Sequence, residues 1–178
     1  MLSAGQFTLR PYQQSDASQM SAAVRESTET VGRWMTWAAK PDFSDYDALC
    51  WFERCNQLRA SGAGHEFGIF TSDGQFVGGC GLNQFSPINK LCNLGYWVRQ
   101  SQQRNGAATS AVLALRDLGL GSLGLSRVEI AVAEDNVASL GVARKAGATY
   151  ECLARNRLQL HGKAVAAHIL SFVRETDA

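Results

Sequence analysis

Seven consecutive residues, Gln103-Arg104-Asn105-Gly106-Ala107-Ala108-Thr109, have the composition of a phosphate-binding backbone. A polar loop, Arg99–Asn105, runs into an Ala- and Leu-rich segment, Ala107–Leu120, whose pattern predicts a helix. The first N–H groups of a helix have no partner within it, and together they carry about half a positive charge. Small side chains at Gly106, Ala107 and Ala108 leave those donors open to an anion. Gly106 also permits backbone angles closed to other residues. Arg104 adds a cation and Thr109 a hydroxyl. An ordinary helix start packed with small residues would have the same composition. The segment lacks the glycines of a dinucleotide fingerprint and the Gly-Lys-Ser/Thr ending of a nucleotide P-loop.

The elements that must position this loop follow from periodicity. Phe7-Thr8-Leu9 alternates as a strand and stops at Pro11. Ser15 or Asp16 is placed to cap a first helix, a short helix is predicted over Thr30–Trp37, and Ser44 is placed to cap a longer one to about Ala60. On that helix Leu49, Phe52, Cys55 and Leu58 recur near the helical repeat. His65–Thr71, Gln75–Leu82 and Leu91–Val98 read as a meander, with Asp73-Gly74 as its first turn. Then come the helix after the polar loop, a strand over Arg127–Ala133, and a helix over Asn136–Lys145 that stops at Gly147. Strands over Tyr150–Leu160 and Val165–Val173 are joined by His161-Gly162-Lys163. The order predicts one α+β domain over residues 1–178, a mixed sheet flanked by helices.

Bulk properties exclude several classes. A net charge of +1 is not that of a nucleic-acid binder. No stretch has the length and apolar character of a signal peptide or a membrane span, so a cytoplasmic protein is expected, without membrane attachment. Cys50, Cys55, Cys80, Cys92 and Cys152 are odd in number and form no CxxC pair, so free thiols are expected, with neither disulfides nor a metal site.

Gln103-x-x-Gly106-x-Ala108 resembles the Gln/Arg-x-x-Gly-x-Gly/Ala signature of the GNAT acetyltransferases, and the run from Gly95-Tyr96-Trp97-Val98 to Ala111 resembles its RimJ/RimL branch. Asn136-Val137-Ala138-Ser139 followed by Lys145-Ala146-Gly147 is similar to that branch's Asn-x-x-Ser and Lys-x-Gly segment, and Gly32–Trp37 to its Trp-containing stretch. The resemblance covers nearly the whole chain. It implies the GNAT fold: a mostly antiparallel sheet of six to seven strands with a V-shaped splay between the strands at 91–98 and 127–133. It implies acetyl-CoA as donor and no metal. The backbone near Trp97 and Val98 would run beside the pantetheine arm, and Gln103, Arg104, Asn105, Gly106, Ala107, Ala108 and Thr109 would wrap the pyrophosphate. Asn136 would help hold the arm, Ser139 would lie near the sulfur as a general acid, and Arg144 or Lys145 can reach the 3′-phosphate. Two positions depart from the pattern. Asn93 stands where relatives often have an acidic residue, and Ala167 stands where they often have Asp ahead of His168.

Acetyl transfer to an amine needs a proton acceptor, a donor to the oxyanion and a donor to the departing thiolate. An amide near Trp97–Val98 is the candidate oxyanion donor and Ser139 the candidate acid. Glu66 is the candidate base beside His65, and strand alternation sends only one of the two into the cleft. Trp34, Trp37 and Tyr96 are candidates for the acceptor wall, while Glu26 and Glu29 can attract a cationic amine. The expected acceptor is the N-terminal amine of a protein, of the ribosomal-protein type. A small-molecule amine is the alternative, and a catalytically silent acyl-CoA-binding module is a third reading. A homodimer is left open.

Overall fold

The computed structural model describes residues 1–174. Its strands are β1 (Leu2–Ala4), β2 (Phe7–Arg10), β3 (His65–Thr71), β4 (Phe76–Ser86), β5 (Leu91–Val98), β6 (Arg127–Ala133), β7 (Thr149–Leu160) and β8 (Lys163–Val173). Its helices are α1 (Ala17–Glu26), α2 (Asp45–Ala60), α3 (Ala107–Asp117) and α4 (Val137–Lys145). The strands form one eight-stranded sheet in the order β1-β2-β3-β4-β5-β6-β8-β7. Sequence periodicity misses β1, three residues that fold back on β2 through a turn where Gly5 has φ +63°. A segment this short has too few positions to show an alternation.

Among the described residues only β5 and β6 pair in parallel, and they do so at three positions: Leu91 with Arg127, Cys92 with Val128 and Asn93 with Glu129. Beyond that point β5 stays paired to β4 as far as Val98, and β6 stays paired to β8 as far as Ala133. The two strands therefore part in the middle of the sheet, as the expected splay requires.

Side chains alternate between two layers. Cys92, Leu94 and Val98 of β5 and Val128, Ile130 and Val132 of β6 join the core that includes Ala111, Val112 and Leu115 of α3 and Ala143 of α4. Trp97 points to the opposite face, into a second core with Met20 and Val24 of α1 and Ala48 and Phe52 of α2. Asn93 and Gly95 share the face of Trp97.

Local chemistry sets the helix ends. The Ser44 hydroxyl accepts from the Asp47 N–H at 3.3 Å, and the Asp47 carboxylate accepts from the Ser44 N–H at 2.8 Å, a reciprocal cap on α2. On α2 the buried residues are Ala48, Phe52 and Cys55, whereas Leu49 is exposed. Asp16 does not cap α1 through its side chain. Its buried carboxylate takes two hydrogen bonds from Arg10, at 2.7 and 2.8 Å, tying the start of α1 to β2.

The predicted helix over Thr30–Trp37 is corrected: turns run from Ser27 to Trp34, and a short 3₁₀ turn covers Thr36–Ala39. The chain folds tightly on itself there, and a Cβ on Gly32 would lie 2.1 Å from the Thr28 carbonyl oxygen. α3 ends at Asp117, before the predicted Leu120, in a wider turn containing Gly119 and Gly121.

Removing the Ser44 cap by Ser44→Ala should cost about 1 kcal/mol. The check is a lower urea midpoint with an unchanged slope. Cys55, Cys80 and Cys92 are buried and Cys50 and Cys152 exposed. Thiol titration of denatured, unreduced protein should count five free thiols, and stoichiometric zinc would contradict that count.

Candidate active site

Where β5 and β6 part, a cleft of about 820 Å³ passes through the sheet. Gly95–Val98 form one wall and Ile130–Ala133 the other. One end is lined by Gln102–Thr109 and by Asn136, Ser139, Val142 and Lys145 around α4. The other end is lined by Glu29–Val31 and Arg33–Met35 of the α1–α2 connection and by Leu158 of β7. Backbone groups on the facing edges of β5 and β6 have no ladder partner across the gap, so an extended polar chain laid between them finds donors and acceptors.

The α3 end is built to meet an anion. Arg104 and Gly106 have φ of +68° and +89°. Gly106 occupies the cap position of α3, where its left-handed geometry suits glycine. The first bond inside the helix runs from the Ser110 N–H to the Gly106 carbonyl, so the preceding amides of Ala107, Ala108 and Thr109 lie before the ladder begins. A Cβ on Gly106 would meet nothing within 4 Å, so the space before these amides is open. The Gln103 side chain donates to the Val98 carbonyl at 3.2 Å, which locks the loop to the end of β5. The Gln100 N–H donates to the buried Ser27 hydroxyl and the Ser101 N–H to Glu26, which stitch the same loop to the end of α1.

At the middle of the cleft, the Tyr96 and Ser139 hydroxyls are 2.9 Å apart, and the Tyr96 hydroxyl also donates to the Ser139 carbonyl at 3.0 Å. Burial pushes the Tyr96 phenol up to about 12, partly offset by its bond to Ser139, so it stays protonated at neutral pH. Tyr96, expected as acceptor wall, instead reaches toward α4. Its even position in β5 puts it on that face, a signal already present in the strand alternation. Asn136 caps α4, accepting from the Ser139 N–H at 3.1 Å through its side-chain oxygen, which leaves its amide nitrogen for the cleft. Trp97 contributes backbone to the cleft wall and its ring to the core, where it meets Trp37 edge-on at 5.6 Å.

Other expected site residues sort clearly. Trp34 lines the acceptor end, with Arg33 stacked 4.7 Å over its ring. Trp37 is 44% exposed and packs on Trp97 and Phe43 outside the cleft wall, so its assignment to the acceptor wall is corrected. Lys145 lines the cleft, and Arg144 is exposed outside the lining. Glu29 lines the acceptor end, while Glu26 is engaged by Arg99 and Ser101.

Glu66, the candidate base, is not among the residues that line the cleft. Glu66 is only 8% exposed and lies back from the cleft, near Arg59 and Cys55 of α2. Burial raises its carboxyl, and hydrogen bonding from Asn83 and the charge of Arg59 oppose this. His65 points to the other face, edge-on to Phe85, and burial lowers its imidazole. Sequence reasoning missed that Asn83 donates to Glu66 at 3.1 Å and that Asn93 donates to Asn83 at 2.9 Å.

The β7–β8 hairpin borders the acceptor end through Leu158. At its tip His161 Nε2 lies 3.1 Å from the Gly32 carbonyl oxygen and 3.3 Å from that of Arg33, close enough to donate to either.

Comparisons with known proteins agree with this architecture. YdaF of Bacillus subtilis strain 168, provisionally named a ribosomal N-acetyltransferase, is 26% identical over 155 residues, 87% of this chain and 84% of its own. The ribosomal-protein-serine acetyltransferase of Escherichia coli K12 is 34% identical over 97 residues, 54% of each chain. The structure of Mycobacterium smegmatis RimJ in complex with CoA-disulfide superposes with a TM-score of 0.86 at 23% identity, covering 98% of this chain and 85% of that one. The acetyltransferase (GNAT) domain family model matches residues 6–149, and the chain belongs to the GNAT acetyltransferases.

Proposed function

We propose that this N-acetyltransferase takes its acetyl group from acetyl-CoA and transfers it to the N-terminal α-amine of a protein, of the ribosomal-protein type, by direct attack in a ternary complex in the cytosol. The observation that carries this is the through-sheet cleft. It has an anion cradle at Gln103–Thr109, paired hydroxyls at its middle and an open acceptor end at Trp34 and Glu29. The names of the Bacillus and Escherichia relatives support ribosomal protein as the acceptor, and the bound CoA-disulfide of the Mycobacterium RimJ structure supports the donor.

In this proposal the amides of Gly106–Thr109 hold the pyrophosphate, with Gln103, Arg104 and Asn105 shaping the loop around it. Lys145 lies along the cleft wall for further phosphate. The free edge of β5 at Trp97–Val98 hydrogen-bonds the pantetheine amides, assisted by Asn136, and an amide there faces the oxyanion. Ser139 donates a proton to the thiolate as the carbon–sulfur bond breaks. Tyr96, neutral and 2.9 Å away, can turn its single proton from the Ser139 carbonyl to the Ser139 hydroxyl oxygen as that oxygen gives up its own. The ammonium proton of the acceptor leaves to water at the open end, since Glu66 is buried and outside the cleft lining. Glu29 contributes negative charge at the entrance.

The direct test is thiol release from acetyl-CoA against a panel of peptides with free N-termini and of small amines. Turnover with the small amines alone would overturn the protein acceptor. Gly106→Val forces a branched residue into a left-handed conformation before the cradle. Acetyl-CoA affinity should fall at least about tenfold by calorimetry, and normal affinity in a folded variant would relocate the pyrophosphate. Ser139→Ala removes an interaction that strengthens in the transition state, so it should lower kcat about 100-fold with acetyl-CoA affinity kept. Full turnover would leave Ser139 a packing residue, and joint loss of affinity and turnover would make it a binding residue.

A further inference from the structure

Across the middle of the sheet, on the α1–α2 face, three polar side chains from adjacent strands form a single hydrogen-bonded file. Glu66 of β3 accepts from Asn83 of β4 at 3.1 Å, and Asn83 accepts from Asn93 of β5 at 2.9 Å. The register builds this file, with Glu66 opposite Gly81 and Asn83 opposite Asn93. The carboxyl group lies across the position where Gly81 lacks a side chain, since a Cβ there would sit 2.0 Å from Glu66 Oε2. Asn93 is the last β5 residue paired to β6 before the strands part, and Gly95, the next residue on that face, lines the cleft.

Direction along the file is set by its buried end. An ionised carboxylate can only accept, so Asn83 must turn its NH₂ toward Glu66 and its oxygen toward Asn93. Asn93 must then turn its own NH₂ toward Asn83, which leaves its oxygen as the outward end. No hydrogen bond to the Asn93 oxygen occurs among the described residues, and the residue is half-buried at the root of the splay.

We propose that Glu66 is a positioning residue that, through Asn83, holds Asn93 with its carbonyl oxygen toward the acceptor end of the cleft, where that oxygen accepts an N–H of the incoming amine. This rests on the reading of the cleft as an amine-acetylating site. Asn93 recognises the amine without taking its proton, because an amide oxygen is a hydrogen-bond acceptor and a very weak base.

Two measurements test the two halves separately. The orientation needs no amine: in ¹⁵N-labelled protein, Glu66→Gln removes the one-way acceptor while keeping its shape. The side-chain NH₂ signals of Asn83 and Asn93 should then shift or double as both orientations become populated. Unchanged signals would overturn the positioning role. The substrate half is read with acetyl-CoA and a peptide with a free N-terminal serine. Asn93→Ala should raise the peptide KM about 5- to 20-fold with acetyl-CoA affinity unchanged. Glu66→Gln should raise it less, and the double variant should match Asn93→Ala alone, because one residue acts through the other. A normal KM in Asn93→Ala, or effects that multiply in the double variant, would overturn the proposal. A wild-type protein inactive on this peptide would sink the protein N-terminus as acceptor, and with it the amine half here. The amide spectra would still decide the orientation.

Discussion

Everything at this site depends on three residue pairs between β5 and β6 and on the absence of a fourth. Two parallel strands at the centre of a sheet would normally share a continuous ladder, because unpaired backbone groups in a protein interior are costly. Here each strand keeps its outer neighbour, β4 or β8, and loses its inner one after Asn93 and Glu129. The result is a slot with polar edges in the middle of the sheet. A ligand that is itself an extended chain with amide groups completes the ladder that the protein leaves open. The side chains that flank the opening are small, with Gly95 on β5 and Ala131 and Ala133 on β6.

Because the slot passes through the sheet, its two ends lie in different layers and acquire different chemistry. The α3–α4 side supplies helix-start amides, Lys145 and the Ser139–Tyr96 pair, and suits anion binding and proton donation. The α1–α2 side supplies Trp34 and Glu29, and suits a cationic group. In the proposed reaction the two substrates would approach from opposite faces and meet at the gap. The separation also explains why the loop of Arg99–Asn105 is fastened to α1 through Ser27 and Glu26: the anion end is braced against the layer that shapes the acceptor end.

The parts of this arrangement that follow local periodicity were legible in the sequence. The strands at His65–Thr71, Leu91–Val98 and Arg127–Ala133 could be read to the residue, since each carries its own alternation between punctuating loops. The helix start at Gly106 was legible because its small residues sit together in the chain. The segment from Thr30 to Trp37 was misread, because successive N–H groups there converge on the Ser27 and Val31 carbonyls in tight local turns that leave no periodic trace in the sequence. The pairing of Tyr96 with Ser139 and the file from Glu66 to Asn93 bring together residues 43 and 10 to 17 positions apart. Their existence depends on register, which a single strand does not display. Nothing in the segment around Glu66 reveals that Gly81 makes room for its carboxyl group.

The clasp between His161 and the carbonyls of Gly32 and Arg33 joins positions 129 and 128 residues apart. The strand order adds a second constraint, for β7 has its only sheet neighbour in β8, which follows it in the chain. During synthesis from the N-terminus, the cradle at Gln103–Thr109 and the first pairs of β5 with β6 can therefore form while the last forty or so residues are still unmade. The wall that borders the acceptor end cannot. Under the proposed reaction, a nascent chain of this protein would form the phosphate cradle of its donor site first, and would select among amines only once the final hairpin is in place.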